Sequence, residues 1–413
     1  MKRLVLTTFV GLIAWAGIAR PSVVRSEPAA WQITPATLAT LAPPNSAQPQ
    51  LSVSNRGALL SWIERSGDLA TLRFAERTAS GWTEPRTVAS GRDWFVNWAD
   101  VPSVVRLPSG TIAAHWLQKS GPGTYAYDVR LSYSADNGQT WSPSFLPHHD
   151  NAKAEHGFAS LFPVGDGLGL VWLDGRAMGS AAGHDEHAAD TGAMSVRYAQ
   201  FDKNWKQIAD TQVDGRVCEC CPTTAVVTAE GVNAAFRNRS EDEIRDIHVA
   251  RMQNGKWSDS VAVFSDNWKI AACPVNGPSL SASGAAVAIS WFTAKGDQGR
   301  AFAAFSHDAG RTFGAPIRID EAGTLGRVDM DLLPDGSALV TWIEFAEQRA
   351  QIRVRRIERS GTLSKPITIA GIAGSRASGY PRTAIAGREA VFAWTESGPG
   401  GALQVRTAVA GLP

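Results

Sequence analysis

Cysteine is scarce in this chain, net charge is nearly absent, and no long apolar run follows the first 20 residues. Each shortage narrows the reading. Lys+Arg 40 against Asp+Glu 39 leaves no excess of positive charge for a basic face, so no nucleic-acid partner is expected. The one hydrophobic run, from Leu4 to Ile18, is shorter than the roughly 20 residues of a spanning helix, so no stable membrane insertion is expected. Lys2 and Arg3 precede that run, and small residues at Gly17, Ala19 and Ser26 follow. Residues 1–26 therefore read as a secretory signal peptide. The remainder, 27–413, is expected in the periplasm or outside the cell, where disulfides persist. Of only four cysteines, three crowd into "GRVCECCPTT" as Cys218, Cys220 and Cys221, and Cys273 lies in "KIAACPVNGP".

What the chain has in quantity is punctuation and aromatic bulk: Gly 39, Pro 22 and Trp 15. Many turns and many apolar anchors suit an all-β architecture with closely spaced strands. Seven segments repeat one plan, an apolar strand, a turn, and a second strand ending in an aromatic residue. The anchors are Trp62, Trp116, Trp172, Phe236, Trp291, Trp342 and Trp394, spaced 54, 56, 64, 55, 51 and 52 residues apart. Two further strands follow in each repeat, as in "DVRLSYS" and then "TWSPSFLP". Four short strands per repeat form the blade of a β-propeller. The last repeat stops after "ALQVRTAVAGLP", one strand short, while "AWQITPATLA" near the start resembles an outer strand. The fold predicted is all-β, a single seven-bladed β-propeller closed by an N-terminal strand. A six-bladed ring with an extra hairpin is the fallback, and a monomer is expected.

Two turns between third and fourth strands, "SADNGQTW" (Ser134 to Trp141) and "SHDAGRTF" (Ser306 to Phe313), follow an S-x-D-x-G-x-T-aromatic pattern. The aspartate can accept backbone N–H groups within the turn, and glycine takes the left-handed position. On these motifs the chain resembles the Asp-box (BNR-repeat) propellers of the sialidase-like superfamily. That resemblance implies that Ser134, Asp136, Ser306 and Asp308 are structural, on the face away from any active site. Sialidases also carry an R-I-P motif before the first blade. The corresponding "NSAQPQLSVSN" contains no arginine, and seven repeats exceed the six blades usual in sialidases.

In a propeller, the loops leading into first strands share one face with the loops joining second and third strands, around the central channel, where ligand sites form. The cysteines fall in neighbouring lead-in loops on that face. The longest spacing reflects an insertion carrying His184 and His187, and His156 leads into the third repeat. Cys218, Cys220, Cys221 and Cys273 with His156, His184 and His187 offer thiolate and imidazole ligands for copper or zinc. Disulfides are the alternative, but consecutive Cα atoms 3.8 Å apart suit a vicinal bridge poorly. One bond between repeats with two residual thiols therefore stands level with two bonds. A second pattern is an anion or sugar clamp: Arg176, Arg237, Arg239, Arg327 and Arg382 with Trp98 as ligand-binding residues, and Tyr380, Asp100 and Glu219 as candidate catalytic groups. The function expected is an exported binding protein for a small molecule, sugar or metal at the propeller mouth. The alternative is a sialidase-like glycoside hydrolase acting on an acidic sugar.

Overall fold

The structure, a computed structural model, describes residues 31–178 and 192–413. The proposed signal peptide and the candidate ligands His184 and His187 lie outside the described residues. Residues Gln32–Pro413 make one compact unit of seven small antiparallel sheets, the blades of a propeller. Each anchor sits in the second strand of its blade, bonded on both sides. Trp62 lies in Gly57–Ser66, Trp116 in Ile112–Lys119, Trp172 in Gly167–Asp174, and Phe236 in Gly231–Arg237. Trp291 lies in Ala286–Thr293, Trp342 in Ala338–Ala346, and Trp394 in Glu389–Ser397. All seven are buried. Their large rings fill the space where one blade packs on the next, so the apolar repeat in the sequence becomes the core.

The ring closes as the sequence predicts. Ala36–Thr37 pairs antiparallel with the last strand, Leu403–Gly411, Ala36 opposite Val409. Blade seven thus takes its outer strand from the start of the chain, which removes an exposed sheet edge. Neighbouring first strands are tied around the channel by side chains. Asp329 accepts from Ser279 Oγ of blade five at 2.9 Å and from Thr383 N of blade seven at 2.8 Å. Two residues on, Asp331 repeats the bridge to Ser281 and Ile385 N.

The Asp boxes are turns, as expected. Asp136 Oδ1 accepts from Gln139 N and Thr140 N at 3.0 and 2.9 Å, and Ser134 Oγ accepts from Gly138 N at 2.7 Å. Gly138 has φ +82°, and a Cβ there would meet the Phe74 ring of blade one at 2.5 Å. Only glycine satisfies both the dihedral and the approach. One expectation differs: "TWSPSFLP" does not form a full fourth strand in blade two. That sheet has three strands, and the segment meets the third of them only at the isolated bridge of Phe145 to Leu131. Pro143 and Pro147 flank the bridge and lack the N–H groups a longer ladder needs. Among the described residues, no helix is long and apolar enough to cross a membrane.

Candidate functional site

A channel of about 310 Å³ runs where the seven first strands meet, lined among others by Ser160, Thr223, Asp329, Tyr380 and Arg382. Three polar clusters lie in and beside the loops that lead into blades two to five.

The first contains the sulfurs. The loop leading into blade four is anchored by Cys218 N donating to Arg237 O at 2.9 Å and by a bridge between Val217 and Asn238. This folds Cys218 Sγ to 3.8 Å from Cys220 Sγ and 3.3 Å from Cys221 Sγ, all three buried. Cys273, from the loop leading into blade five, is exposed. All four are free thiols at these positions. Arg245 Nη1 donates to Cys218 Sγ at 3.3 Å, and Asn276 N donates to Cys221 Sγ at 3.4 Å. Burial opposes ionisation of Cys218, but the Cys220 and Cys221 thiols and the Arg245 guanidinium outweigh it. Its pKa falls well below the ordinary thiol value. Burial and the Cys218 sulfur hold Cys220 and Cys221 protonated. Cys218 is therefore the sulfur of the cluster that gives up its proton most readily, with two thiols and a guanidinium directed at it. Glu219, buried between two arginines, is paired to Arg245 at 3.0 Å and to Arg239, which also binds Glu243.

The second cluster joins blades two and three. Tyr127 Oη lies 2.8 Å from both Asp100 Oδ2 and Glu155 Oε1, and Phe158 N donates to Asp100 Oδ1 at 2.7 Å. Gly157 allows this closeness, since a Cβ there would stand 2.1 Å from Asp100 Oδ2. Burial raises Asp100 to about 7 against the opposing hydrogen bonds from Tyr127 and Phe158. Burial, with the Asp100 charge adding to it, raises Glu155 to about 8 despite the Tyr127 bond.

The third cluster lies close by in sequence. His156, at the start of blade three, is ringed by Asp128, Asp150 and Asp174. Burial works against its charge, but the carboxylates lift it to about 9. His148 stacks on it at 3.9 Å, and burial, then the His156 charge, lower the His148 pKa.

A pH dependence follows from the last two clusters. Asp100, Glu155 and His156 all have folded pKa values above their unfolded ones. The stability each contributes is therefore complete below its unfolded value, and is lost as pH rises through about 7, 8 and 9 respectively. The sign is the same for all three. We expect the melting temperature to fall between pH 6 and 9.5, by on the order of 5 °C. Asp100→Asn and Glu155→Gln should flatten the slope. A melting temperature constant or rising over that window would contradict the assignment.

The remaining sequence candidates divide by what they touch. Arg237 is buried and donates to three backbone carbonyls, Asn276, Arg245 and Phe292, so it is a strut rather than a ligand clamp. Arg176 is locked on Asp150 at 2.8 Å and Asp174 at 2.6 Å. Arg327 donates to Ser375 O and Gly379 O and stands 4.6 Å over Trp98, which stacks on Tyr380. The Tyr380 hydroxyl donates to Val275 O at 2.7 Å, and burial, then the Cys221 sulfur, push its pKa up, which disfavours it as a nucleophile. Asp100 is fully buried and closed to a ligand. Arg382, over the Tyr380 ring at 5.2 Å, lines the channel. His156 keeps company with carboxylates and His148; among the described residues no potential metal-holding group mixes it with sulfur.

Residues that the sequence reading did not single out prove central: Arg245 against Cys218, Tyr127 and Glu155 in the hydrogen-bonded triad with Asp100, and Asp128, His148 and Asp150 beside His156. The run His148, Asp150, Glu155, His156 within nine positions was the available signal for the last group.

Comparison with known proteins agrees with the architecture. The family described as BNR repeat-like domain matches residues 63–387. Among solved structures the chain is similar to a protein of unknown function from Dyadobacter fermentans DSM 18053, with TM-score 0.53, 14% identity, and 92% of this chain and 98% of that one covered. It is similar to the polysaccharide lyase Uly1 with TM-score 0.53, 12% identity, and 95% and 94% covered. A Trypanosoma rangeli sialidase in complex with the inhibitor DANA gives TM-score 0.46, 9% identity, and 80% and 57% covered. At such identities the likeness speaks for the fold alone. No curated protein matches the chain at a significant level. With two Asp-box turns, seven blades and a family match over most of its length, the chain belongs to the BNR repeat-like domain family.

Proposed function

We propose that this protein is an exported binding protein that takes a thiophilic transition metal, Cu(I) or Zn2+, at the propeller mouth through Cys218, Cys220 and Cys221, with Cys273 closing from the next blade. The observation that supports this reading is the convergence of three buried sulfurs, with Cys220 Sγ and Cys221 Sγ 3.8 and 3.3 Å from Cys218 Sγ and Arg245 Nη1 donating to that same sulfur. Soft thiolates select Cu(I) and Zn2+ over hard cations. Three thiolates need positive charge nearby, and Arg245 supplies it at Cys218 while the Arg237 charge favours ionisation of Cys221. Binding releases the remaining thiol protons, so affinity rises with pH.

A second reading, a glycoside hydrolase acting on an acidic sugar, has one observation in its favour. Arg382 Nε has no hydrogen-bond partner among the described residues, although the side chain lines the channel. A panel of fluorogenic sialosides and other glycosides separates the two. No turnover, with Cu(I) or Zn2+ retained, is the outcome expected of a binding protein. Turnover lost in both Tyr380→Phe and Arg382→Ala would establish the hydrolase instead.

A further inference from the structure

We propose that Cys218 and Cys221 form a reversible redox pair, whose disulfide shuts the metal site of the sulfur cluster. What the switch controls rests on the metal reading. The bond itself rests on the geometry of the pair.

The first observation is spacing along the chain. The stretch "CECC" places Cys221 three residues after Cys218, and Glu219 and Cys220 form the tip of a turn between them. The first and fourth Cα atoms of such a turn lie within about 7 Å, and a disulfide spans about 4.4–6.8 Å between its Cα atoms. The vicinal pair Cys220 and Cys221, at about 3.8 Å, falls below that span.

The second is distance. Cys221 Sγ lies 3.3 Å from Cys218 Sγ, and Cys220 Sγ lies 3.8 Å from it. Zinc–sulfur bonds of about 2.3 Å in a tetrahedron put two sulfurs roughly 3.8 Å apart. Cys220 therefore stands from Cys218 at the spacing a metal imposes. Cys221 stands nearer, part of the way to a covalent bond of about 2.0 Å.

The third is how the two sulfurs are held. Arg245 Nη1 donates to Cys218 Sγ at 3.3 Å, and Asn276 N donates to Cys221 Sγ at 3.4 Å. The carbonyls of those same two residues accept from the Arg237 guanidinium at 2.6 and 2.9 Å. One buried arginine thus fixes both donors, and through them both sulfurs. Little rearrangement separates the open pair from the bonded one.

Burial selects the oxidant. Cys218 and Cys221 are each 1% exposed, which excludes a protein disulfide as the partner and leaves a small peroxide. The Cys218 thiol reduces hydrogen peroxide to water and becomes the sulfenic acid. Cys221 Sγ then attacks that sulfur, the S–O bond breaks, and a second water leaves with the thiol proton as the Cys218–Cys221 bond forms. Two thiols are oxidised and one peroxide is reduced to two waters. Closure over so short a loop adds little loop-closure entropy, so a dithiol reopens the bond. In the bonded state the metal loses two of its thiolates, and only Cys220 and Cys273 remain to it.

The test treats chelator-stripped protein with one equivalent of hydrogen peroxide, denatures and alkylates it, and maps the cysteines by mass spectrometry. Wild type should yield the Cys218–Cys221 bond, removed by dithiothreitol, with Cys220 and Cys273 alkylated. Cys220→Ser should still form it, and Cys221→Ser should not. Oxidised wild type should bind Zn2+ more weakly than reduced, by on the order of 100-fold or more, and recover on reduction. The proposal is overturned if all four thiols survive, if the bond joins Cys220 or Cys273 instead, or if Cys218 goes on to the sulfinic acid with Cys221 still a thiol. It is equally overturned if oxidised protein keeps the Zn2+ affinity of reduced protein. Reduced protein without Zn2+ affinity would defeat the metal reading and the control of it, whereas the bond, mapped on metal-free protein, is judged separately.

Discussion

Cys218→Ser is expected to lower Cu(I) affinity by on the order of 100-fold or more, since it removes the one ligand already poised as a thiolate. The same variant should abolish the thiolate charge-transfer absorption that grows on Cu(I) addition to wild type. The reason lies in what surrounds the sulfur. Cys218 is reached by two thiols and by Arg245 Nη1 at 3.3 Å, and these together lower its pKa against burial. Replacing the guanidinium while keeping the sulfur isolates the electrostatic part. In Arg245→Met the Cys218 pKa rises, protons compete more strongly for the sulfur, and Cu(I) affinity at pH 7 should fall about 10-fold. That deficit should shrink as pH rises and the thiol ionises unaided. A pH-independent loss in Arg245→Met would assign Arg245 a packing role only. Serine at 218 is close in size to cysteine, so folding should be little changed.

Arg237→Ala should be the most destabilising single change at the mouth, by on the order of 4 kcal/mol, or roughly 5–10 °C in melting temperature. Its guanidinium holds Asn276 O at 2.9 Å, Arg245 O at 2.6 Å and Phe292 O at 2.7 Å, and it stands 5.0 Å over the Trp268 ring. Truncation leaves three acceptors without a donor and a void where the stem ran. Two of those carbonyls belong to residues that contact the sulfurs: Arg245 bonds Cys218, and Asn276 N bonds Cys221. Metal affinity should therefore fall with stability. Arg237→Lys keeps the charge but cannot span three carbonyls, so it should recover little. A melting temperature within 2 °C of wild type in Arg237→Ala would contradict the strut.

The architecture was legible because it is written in short-range pattern. Trp62 and its six counterparts recur at nearly fixed spacing, and the missing outer strand of blade seven was recoverable from the likeness of "AWQITPATLA" to other outer strands. The place of the cysteines was legible too, because loop order in a propeller fixes the face. What the sequence hid were partnerships set by the third dimension. "RNRSEDEIRD" reads as charges pairing among themselves, and Glu243 does pair with Arg239 and Arg245. Yet Arg245 is buried, and its other face reaches Cys218 and Glu219 across the loop. Nothing in the local sequence after Pro147 announces that His148 is buried by stacking on His156. Tyr380 and Arg237 carried the residue types of a clamp. Backbone carbonyls within reach claimed their donors, and no local pattern announces that.

The central claim, that the sulfur cluster is a metal site and not a pair of disulfides, meets its most direct test in the protein isolated under anaerobic conditions. Metal analysis and thiol counting should be made on the same sample. The account predicts copper or zinc bound in proportion to the chain, and four reactive thiols once the ion is chelated and the protein denatured. Protein without bound metal and without titratable thiols, all four cysteines being oxidised, would contradict it.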